Sequence, residues 1–288
     1  MVERPANGVL GVLLIATLPG LGIFSCVVLV LLALARGFYA ALRAAALVLG
    51  LFVVASFLSG TSPVNVVLSM ASNWLPCLVM VGVLERTRSM ALTVQLSVIV
   101  GCAGLAGFAL LIDDPLTVWQ PLIDFYVNFW REAGQVELAN RVEQDLPAVA
   151  NGLTLVMAVS YWLLLFLMIQ IGHSWYRLLP GETVNYGRFA DLSLGKVLAV
   201  ATAVASAGAY LLNQSWLDGA AVFLFTAFLV QGFAVVHWHR RENALPLFAV
   251  VLAYVLLMAL SFVWGSILAL VGYLDAWFGL RKKIRTPA

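Results

Sequence analysis

The sequence predicts an all-α fold, a polytopic transmembrane helical bundle of about eight spans. Hydrophobic residues make up 63% of the 288 and charged residues only 10%, whereas a soluble domain carries about 25% charged residues on its water-facing surface. The apolar residues lie in long blocks, and such blocks must be helical in hydrocarbon, because every backbone group is hydrogen-bonded within its own segment. The ten-residue stretches of alternating polarity that a transmembrane barrel needs are not visible.

Six apolar blocks have the length of one membrane crossing, about 20 residues for a hydrocarbon core of about 30 Å. These blocks are 39–59, 64–84, 90–112, 149–172, 194–212 and 217–236. The first and last blocks, 8–35 and 245–274, are longer. Pro19-Gly20-Leu21-Gly22 can break the first block, and Ser261 and Gly265-Ser266 lie near the middle of the last. Each long block is therefore one tilted helix or two shorter segments that form a hairpin.

Basic residues predict the orientation in the membrane. The loops 36–43, 85–88, 173–196, 237–243 and 281–288 hold 13 of the 16 lysines and arginines. The positive-inside rule places these loops in the cytoplasm. The C-terminus is then cytoplasmic, and both ends of block 245–274 lie on the cytoplasmic side. This favours a hairpin with a break near residues 261–266.

Residues 113–148 form a polar segment with seven carboxylates and two arginines. Within it an aromatic face recurs at helical steps, formed by Leu122, Phe125, Tyr126, Phe129 and Trp130. We predict two short amphipathic helices outside the membrane, parallel to its surface, with the Phe125, Phe129 and Trp130 side turned inward. This segment either caps the bundle or anchors in the interface, the depth that Trp and Tyr favour.

Uncharged polar residues in the spans are the candidate ligand-binding groups. Asn73 and Trp74 precede Pro76, which cannot donate a backbone hydrogen bond and frees a carbonyl of the preceding turn. A kinked helix with these side chains could line a cavity; the alternative is a helix–helix hydrogen bond with a packing kink. The second span with such groups has Asn151 at its outer end and Tyr161 near its middle. The predicted substrate-binding residues are thus Asn73, Trp74, Asn151 and Tyr161, roofed by Tyr126 and Trp130.

Several function classes lack support. The central parts of the well-defined spans contain no ionisable residue, which argues against a proton-driven pump. The sequence contains no H-E-x-x-H, G-x-S-x-G or P-loop motif, and its three cysteines have no metal or disulfide spacing. We therefore predict no enzymatic activity, no metal and no cofactor. The net charge of +2 is too small to indicate nucleic acid.

Asp275 lies near the predicted cytoplasmic interface, where an unpaired carboxylate is costly. Arg281 and Lys282 follow it in the sequence, and a hairpin would also bring Arg240 and Arg241 close. We predict that Asp275 forms a structural ion pair and is not a catalytic acid.

Small residues recur at helical steps on two spans. One span has Ala199, Ala203 and Ala207, and another has Gly101, Gly104 and Gly107. Such faces let helices approach closely. They serve internal packing or, alternatively, docking of a partner.

The second half of the chain resembles the YybS-like family of bacterial membrane proteins, which contain domain of unknown function 2232. The resemblance rests on residues 175–181 (WYRLLPG), 187–189 (GRF), 192–195 (LSLG), 231–237 (QGFAVVH) and 272–281 (GYLDAWFGLR). It implies a bacterial inner-membrane location and no particular activity. In its span pattern the chain is also distantly similar to the substrate-binding components of energy-coupling-factor vitamin transporters. Those proteins bind a vitamin or metal near the outer face and dock a transport subunit through small-residue faces.

Two functions follow as hypotheses. The first is a non-enzymatic substrate-capture component of a small-molecule transporter. The second is a scaffold or assembly partner that binds no small molecule. The expected partners are the lipid bilayer, a small-molecule ligand and another membrane protein subunit. The chain is expected to be a single integral membrane domain over 1–288.

Overall fold

The computed structural model describes residues 5–18, 20–180, 184–212 and 214–282, and the regular secondary structure in these ranges is helical throughout. The described residues form twelve α-helices: α1 (Pro5–Ala16), α2 (Ser25–Arg36), α3 (Phe38–Ser59), α4 (Pro63–Thr87), α5 (Met90–Leu111), α6 (Pro115–Glu132), α7 (Val136–Gln144), α8 (Leu146–Tyr176), α9 (Gly195–Leu212), α10 (Ser215–Arg241), α11 (Leu247–Ala259) and α12 (Ser261–Phe278). The predicted all-α fold is confirmed.

Seven of the helices in the described ranges are long and apolar enough to cross a membrane: α3, α4, α5, α8, α9, α10 and α12. Much of their apolar surface points outward. Leu58 on α3 is 86% exposed and Tyr210 on α9 is 89% exposed, which is compatible with lipid and unfavourable in water. The chain is an integral, multi-pass membrane protein.

The six blocks of single-span length each form one helix, and both long blocks are broken. The first block becomes α1 and α2, separated by a turn in which Gly20 has a φ of 71°. At 12 residues each, α1 and α2 are about 18 Å long, well short of a full crossing. Pro19, which we predicted to take part in this break, lies outside the described residues.

The last block ends one helix at Ala259 and starts the next at Ser261, with Leu260 between them at φ −126° and ψ 42°. The Trp264 indole N–H donates to the Ala253 carbonyl at 2.9 Å across the break. In one straight helix these two residues would lie about 16 Å apart along the axis, so the hydrogen bond fits a chain that is bent at Leu260. The predicted break is confirmed immediately before the predicted range, while Gly265 and Ser266 lie within α12. The side of the membrane on which each end lies stays a prediction.

The chain divides into two compact units, and the boundaries fall inside α5, inside α8 and in the loop before α9. The first unit comprises residues 1–97 and 163–192, and the second comprises 98–162 and 193–288. The prediction of one membrane domain stays a prediction.

In the first unit, α2 is the buried element, and every residue from 25 to 34 is buried. Gly172 lets α8 approach it closely, since a Cβ there would lie 2.7 Å from Val30. The start of α3 is held by α4, because the Phe38 N–H donates to the Glu85 carboxylate at 3.0 Å. This bond places an anion at the positive end of α3.

In the second unit, α10 packs against α9 and α12. The contact of α10 with α12 is made through backbone: a Cβ on Gly232 would lie 2.0 Å from the Leu268 carbonyl oxygen, and one on Gly272 would lie 2.1 Å from that of Phe228. Of the predicted glycine face on α5, Gly101 lies against the Phe223 ring, whereas Gly104 and Gly107 have no neighbour within 4 Å of an added Cβ.

Candidate functional site

Two helices, α6 and α7, form a small layer on the start of α8, which we call the cap (residues 115–144). The side chain of Asp114 accepts a hydrogen bond from the Leu116 N–H at 2.9 Å and so begins α6. A turn with Gly134 at φ 79° leads to α7. The two helices are also joined by the Arg131–Glu143 ion pair. The predicted pair of short helices between the spans is thus confirmed.

The cap is fixed to α8 by a buried cluster and a hydrogen bond. Ile123, Val127 and Ala139 of the cap are buried together with Ala150 of α8. The Trp119 indole N–H donates to the Thr154 hydroxyl at 2.7 Å. Because the contacts come from both cap helices, the cap is a packed element and not a loose loop.

The stripe of α6 that packs within the protein is not the predicted aromatic one. Phe125 is 63% exposed and Phe129 is 55% exposed, so they do not form the packed face of the cap, and their orientation toward a membrane stays a prediction. Trp130 does pack against the buried cluster, with Trp119 and Leu116. The reason is that α6 has two apolar stripes, and the aliphatic one around Ile123 and Val127 packs tightly against the small Ala139 and Ala150.

Four candidate residues lie in the second unit, and the structure brings some of them together. The Tyr126 and Trp130 rings are 5.8 Å apart, with Tyr126 exposed and Trp130 half-buried. Asn151 follows Ala150 of the buried cluster and is exposed. Tyr161 is half-buried and lies ten residues further along α8, about 15 Å along the axis.

The other two candidates, Asn73 and Trp74, lie in the first unit on α4, which continues through Pro76. Trp74 is 4% exposed, and its indole N–H donates to the Ser25 hydroxyl of α2 at 2.8 Å. The Asn73 side-chain amide donates to the Ser69 carbonyl of its own helix at 2.9 Å, while the Asn73 backbone carbonyl accepts from the Cys26 thiol at 3.5 Å. The geometry of Trp74 is that of the helix–helix hydrogen bond considered as the alternative.

We expect Ser25→Ala to destabilise the protein by about 1–3 kcal/mol, because it leaves the buried Trp74 N–H without an acceptor. The measurement is thermal unfolding of the purified protein in mild detergent. The control is Ser72→Ala, since the exposed Ser72 hydroxyl donates to a carbonyl of its own helix and its loss should change stability by less than about 0.5 kcal/mol. Equal melting temperatures for the two variants would show that the Trp74–Ser25 bond does not support the fold.

Asp275 forms the ion pair that we predicted. It is buried, and its carboxylate accepts two hydrogen bonds from the Arg281 guanidinium, at 2.7 and 3.1 Å. A second partner was not predicted: the Gln231 side-chain amide donates to the same carboxylate at 2.7 Å. The Gln231 carbonyl in turn accepts from the Leu194 N–H at 2.7 Å. Gln231 therefore links α10, the start of α9 and the end of α12, which explains why a neutral amide is buried there.

His237 and His239 contact different partners, and the three cysteines are free thiols. Nε2 of His237 lies 2.9 Å from the Tyr254 hydroxyl, and Nδ1 of His239 donates to the Val235 carbonyl at 2.9 Å. Cys26 and Cys77 are buried, and Cys102 is half-buried. Within the described ranges no three His, Cys, Asp or Glu side chains are grouped as metal ligands would be.

A surface depression of about 480 Å³ lies beside the turn of the cap. It is lined by Gly134, Gln135, Val136, Glu137, Leu138 and Arg141, none of which is a candidate residue. Half of its lining residues are polar or charged (Gln135, Glu137 and Arg141), whereas the lining of small-molecule sites is mostly apolar.

Fold and site together define a multi-pass α-helical membrane protein in which a packed helical cap lies on the start of one candidate span. Comparison of the chain with protein-family models, with curated proteins and with solved structures finds no match.

Proposed function

We propose that this membrane protein is a non-enzymatic substrate-capture component of a small-molecule transporter in the bacterial inner membrane, with its C-terminus in the cytoplasm. The observation that supports this proposal best is the cap, which is fixed by Ile123, Val127 and the Trp119–Thr154 hydrogen bond to the end of a candidate span. A folded layer over the end of a span can shield a bound molecule from water. The residues quoted above for the YybS-like resemblance support the bacterial location.

The proposed ligand is uncharged and partly aromatic or aliphatic. Trp130 would form an apolar wall beside the ligand. The Asn151 amide would supply both a hydrogen-bond donor and an acceptor, and Tyr161 would supply a hydroxyl. These three side chains carry no charge. Small-molecule sites commonly combine such apolar walls with a few placed polar groups.

Native mass spectrometry of the protein in mild detergent tests this proposal. The wild type is expected to retain a small-molecule adduct, and Asn151→Ala and Tyr161→Phe to retain less of it. Loss of one hydrogen bond of about 1 kcal/mol weakens binding roughly five-fold. Asn128→Ala is the matched control, because Asn128 is an exposed asparagine on the cap helix α6. Equal retention by all four proteins, or no adduct on the wild type, would contradict the proposal.

The second candidate function is a scaffold or assembly partner. It is favoured by Gly104 and Gly107 on α5, where an added Cβ would meet open space, since small-residue faces allow close helix approach. In the same spectra a scaffold would retain a second protein subunit and no small-molecule adduct. Gly104→Leu should then release that subunit while the protein stays folded.

A further inference from the structure

Helix α6 has three distinct sectors around its axis, at 100° per residue. The first sector packs within the second unit and consists of Leu116, Trp119, Ile123, Val127 and Trp130. The second is polar and consists of Thr117, Gln120, Asp124, Asn128, Arg131 and Glu132. The third, which we call the aromatic sector, consists of Val118, Leu122, Phe125, Tyr126 and Phe129. Its centre lies more than 100° from the centres of both others. Of its five residues, Val118, Phe125, Tyr126 and Phe129 are exposed, and Leu122 is half-buried.

The ends of the cap are tied to candidate membrane spans. Only three residues separate Leu111, the last of α5, from Pro115, and one residue separates α7 from α8. Four residue steps of extended chain reach at most about 14 Å, so α6 starts close to the end of α5. Leu110 and Leu111 are each 83% exposed, so the apolar surface of α5 continues to the point where the cap begins. The cap therefore lies beside the lipid-facing surface.

We propose that the aromatic sector of α6 inserts into the lipid–water interface and that its polar sector faces water. Phe125, Tyr126 and Phe129 are the aromatic types that anchor interfacial helices. Residues 113–148 carry seven carboxylates and two arginines, so attraction to anionic lipid headgroups, which needs basic residues, does not drive the contact. The partner is the apolar margin of a zwitterionic bilayer. This inference concerns the outward side of the cap and does not depend on ligand capture.

Spin-label accessibility in proteoliposomes of phosphatidylcholine tests the inference. The labels are placed at Phe125→Cys and Phe129→Cys, with Asp124→Cys and Asn128→Cys as controls on the polar sector. Cys26, Cys77 and Cys102 are replaced by alanine. The expected result is that nitroxide labels at 125 and 129 collide more with oxygen, which partitions into lipid, than with a water-soluble nickel chelate. Labels at 124 and 128 should show the reverse preference.

Two results would overturn the inference. Labels at 125 and 129 that are as accessible to the nickel chelate as the label at 128 would place the aromatic sector in water. Labels protected from both oxygen and nickel would show that a protein, such as a second copy of the chain, covers it. If the cysteine-free chain does not fold, p-cyanophenylalanine at positions 125 and 129 of the otherwise native chain gives the same distinction. Its nitrile infrared band shifts between water and an apolar surrounding, with position 128 as the water reference.

Discussion

Arg281→Gln is expected to lower the stability of the folded protein by about 3–5 kcal/mol, because it leaves a buried carboxylate without its cation. The Asp275 side chain is 2% exposed and that of Arg281 is 12% exposed, so water cannot replace the lost partner. The measurement is thermal unfolding in detergent together with the yield of monodisperse protein. Arg241→Gln is the control, since the Arg241–Glu242 pair is more exposed and such a pair contributes at most about 1 kcal/mol.

Asp275→Asn removes the anionic partner of the same ion pair, and it is also expected to lower yield or melting temperature. Combining it with Arg281→Gln should restore part of the stability, because the double variant has no buried charge left at this position. Full stability of Asp275→Asn, together with loss of ligand retention, would contradict the structural role and assign Asp275 to function.

Gly232→Ala is expected to destabilise the protein by about 1–3 kcal/mol or more, the cost of inserting atoms into a closely packed contact. The new methyl group would lie 2.0 Å from the Leu268 carbonyl oxygen. Since the obstacle is backbone, α10 and α12 must separate. Gly272→Ala should act in the same way on the opposite helix. Thermal unfolding and resistance to proteolysis are the measurements.

Gly219→Ala provides the control for this contact. Gly219 also lies on α10, but an added Cβ there meets no atom within 4 Å, and alanine favours the helix by up to about 1 kcal/mol. If the unfolding temperature rises in Gly232→Ala as well as in Gly219→Ala, the close contact between α10 and α12 is contradicted.

Sequence patterns predicted the helices better than their contacts. Each block of about 20 apolar residues became one helix, because hydrocarbon demands internally bonded backbone. Both long blocks broke near residues that can interrupt a helix, although the break in the last block came at Leu260 and not at Gly265. The choice of that point depends on tertiary contacts, among them the Trp264–Ala253 hydrogen bond, which periodicity does not contain.

The predicted contacts succeeded where the partners are close in the chain. Asp275 and Arg281 are six residues apart, and a costly carboxylate beside a basic run indicates pairing. Gln231 comes from another helix, and its role depends on how α10 meets α12. On α6 two apolar stripes were available, and the choice between them depends on the fit of Ile123 and Val127 against small residues of other helices. A single sequence does not contain that fit.

Hydrogen–deuterium exchange of the protein in nanodiscs tests most directly the claim that the cap is a folded element fixed on α8. We expect amides of residues 116–131 to be protected together with those at the start of α8, since the Trp119–Thr154 bond and the cluster around Ile123 join them. Thr154→Val should speed exchange in both segments. Exchange of 116–131 at the rate of an unstructured peptide, with α8 still protected, would contradict the cap and with it both the capture and the interface proposals.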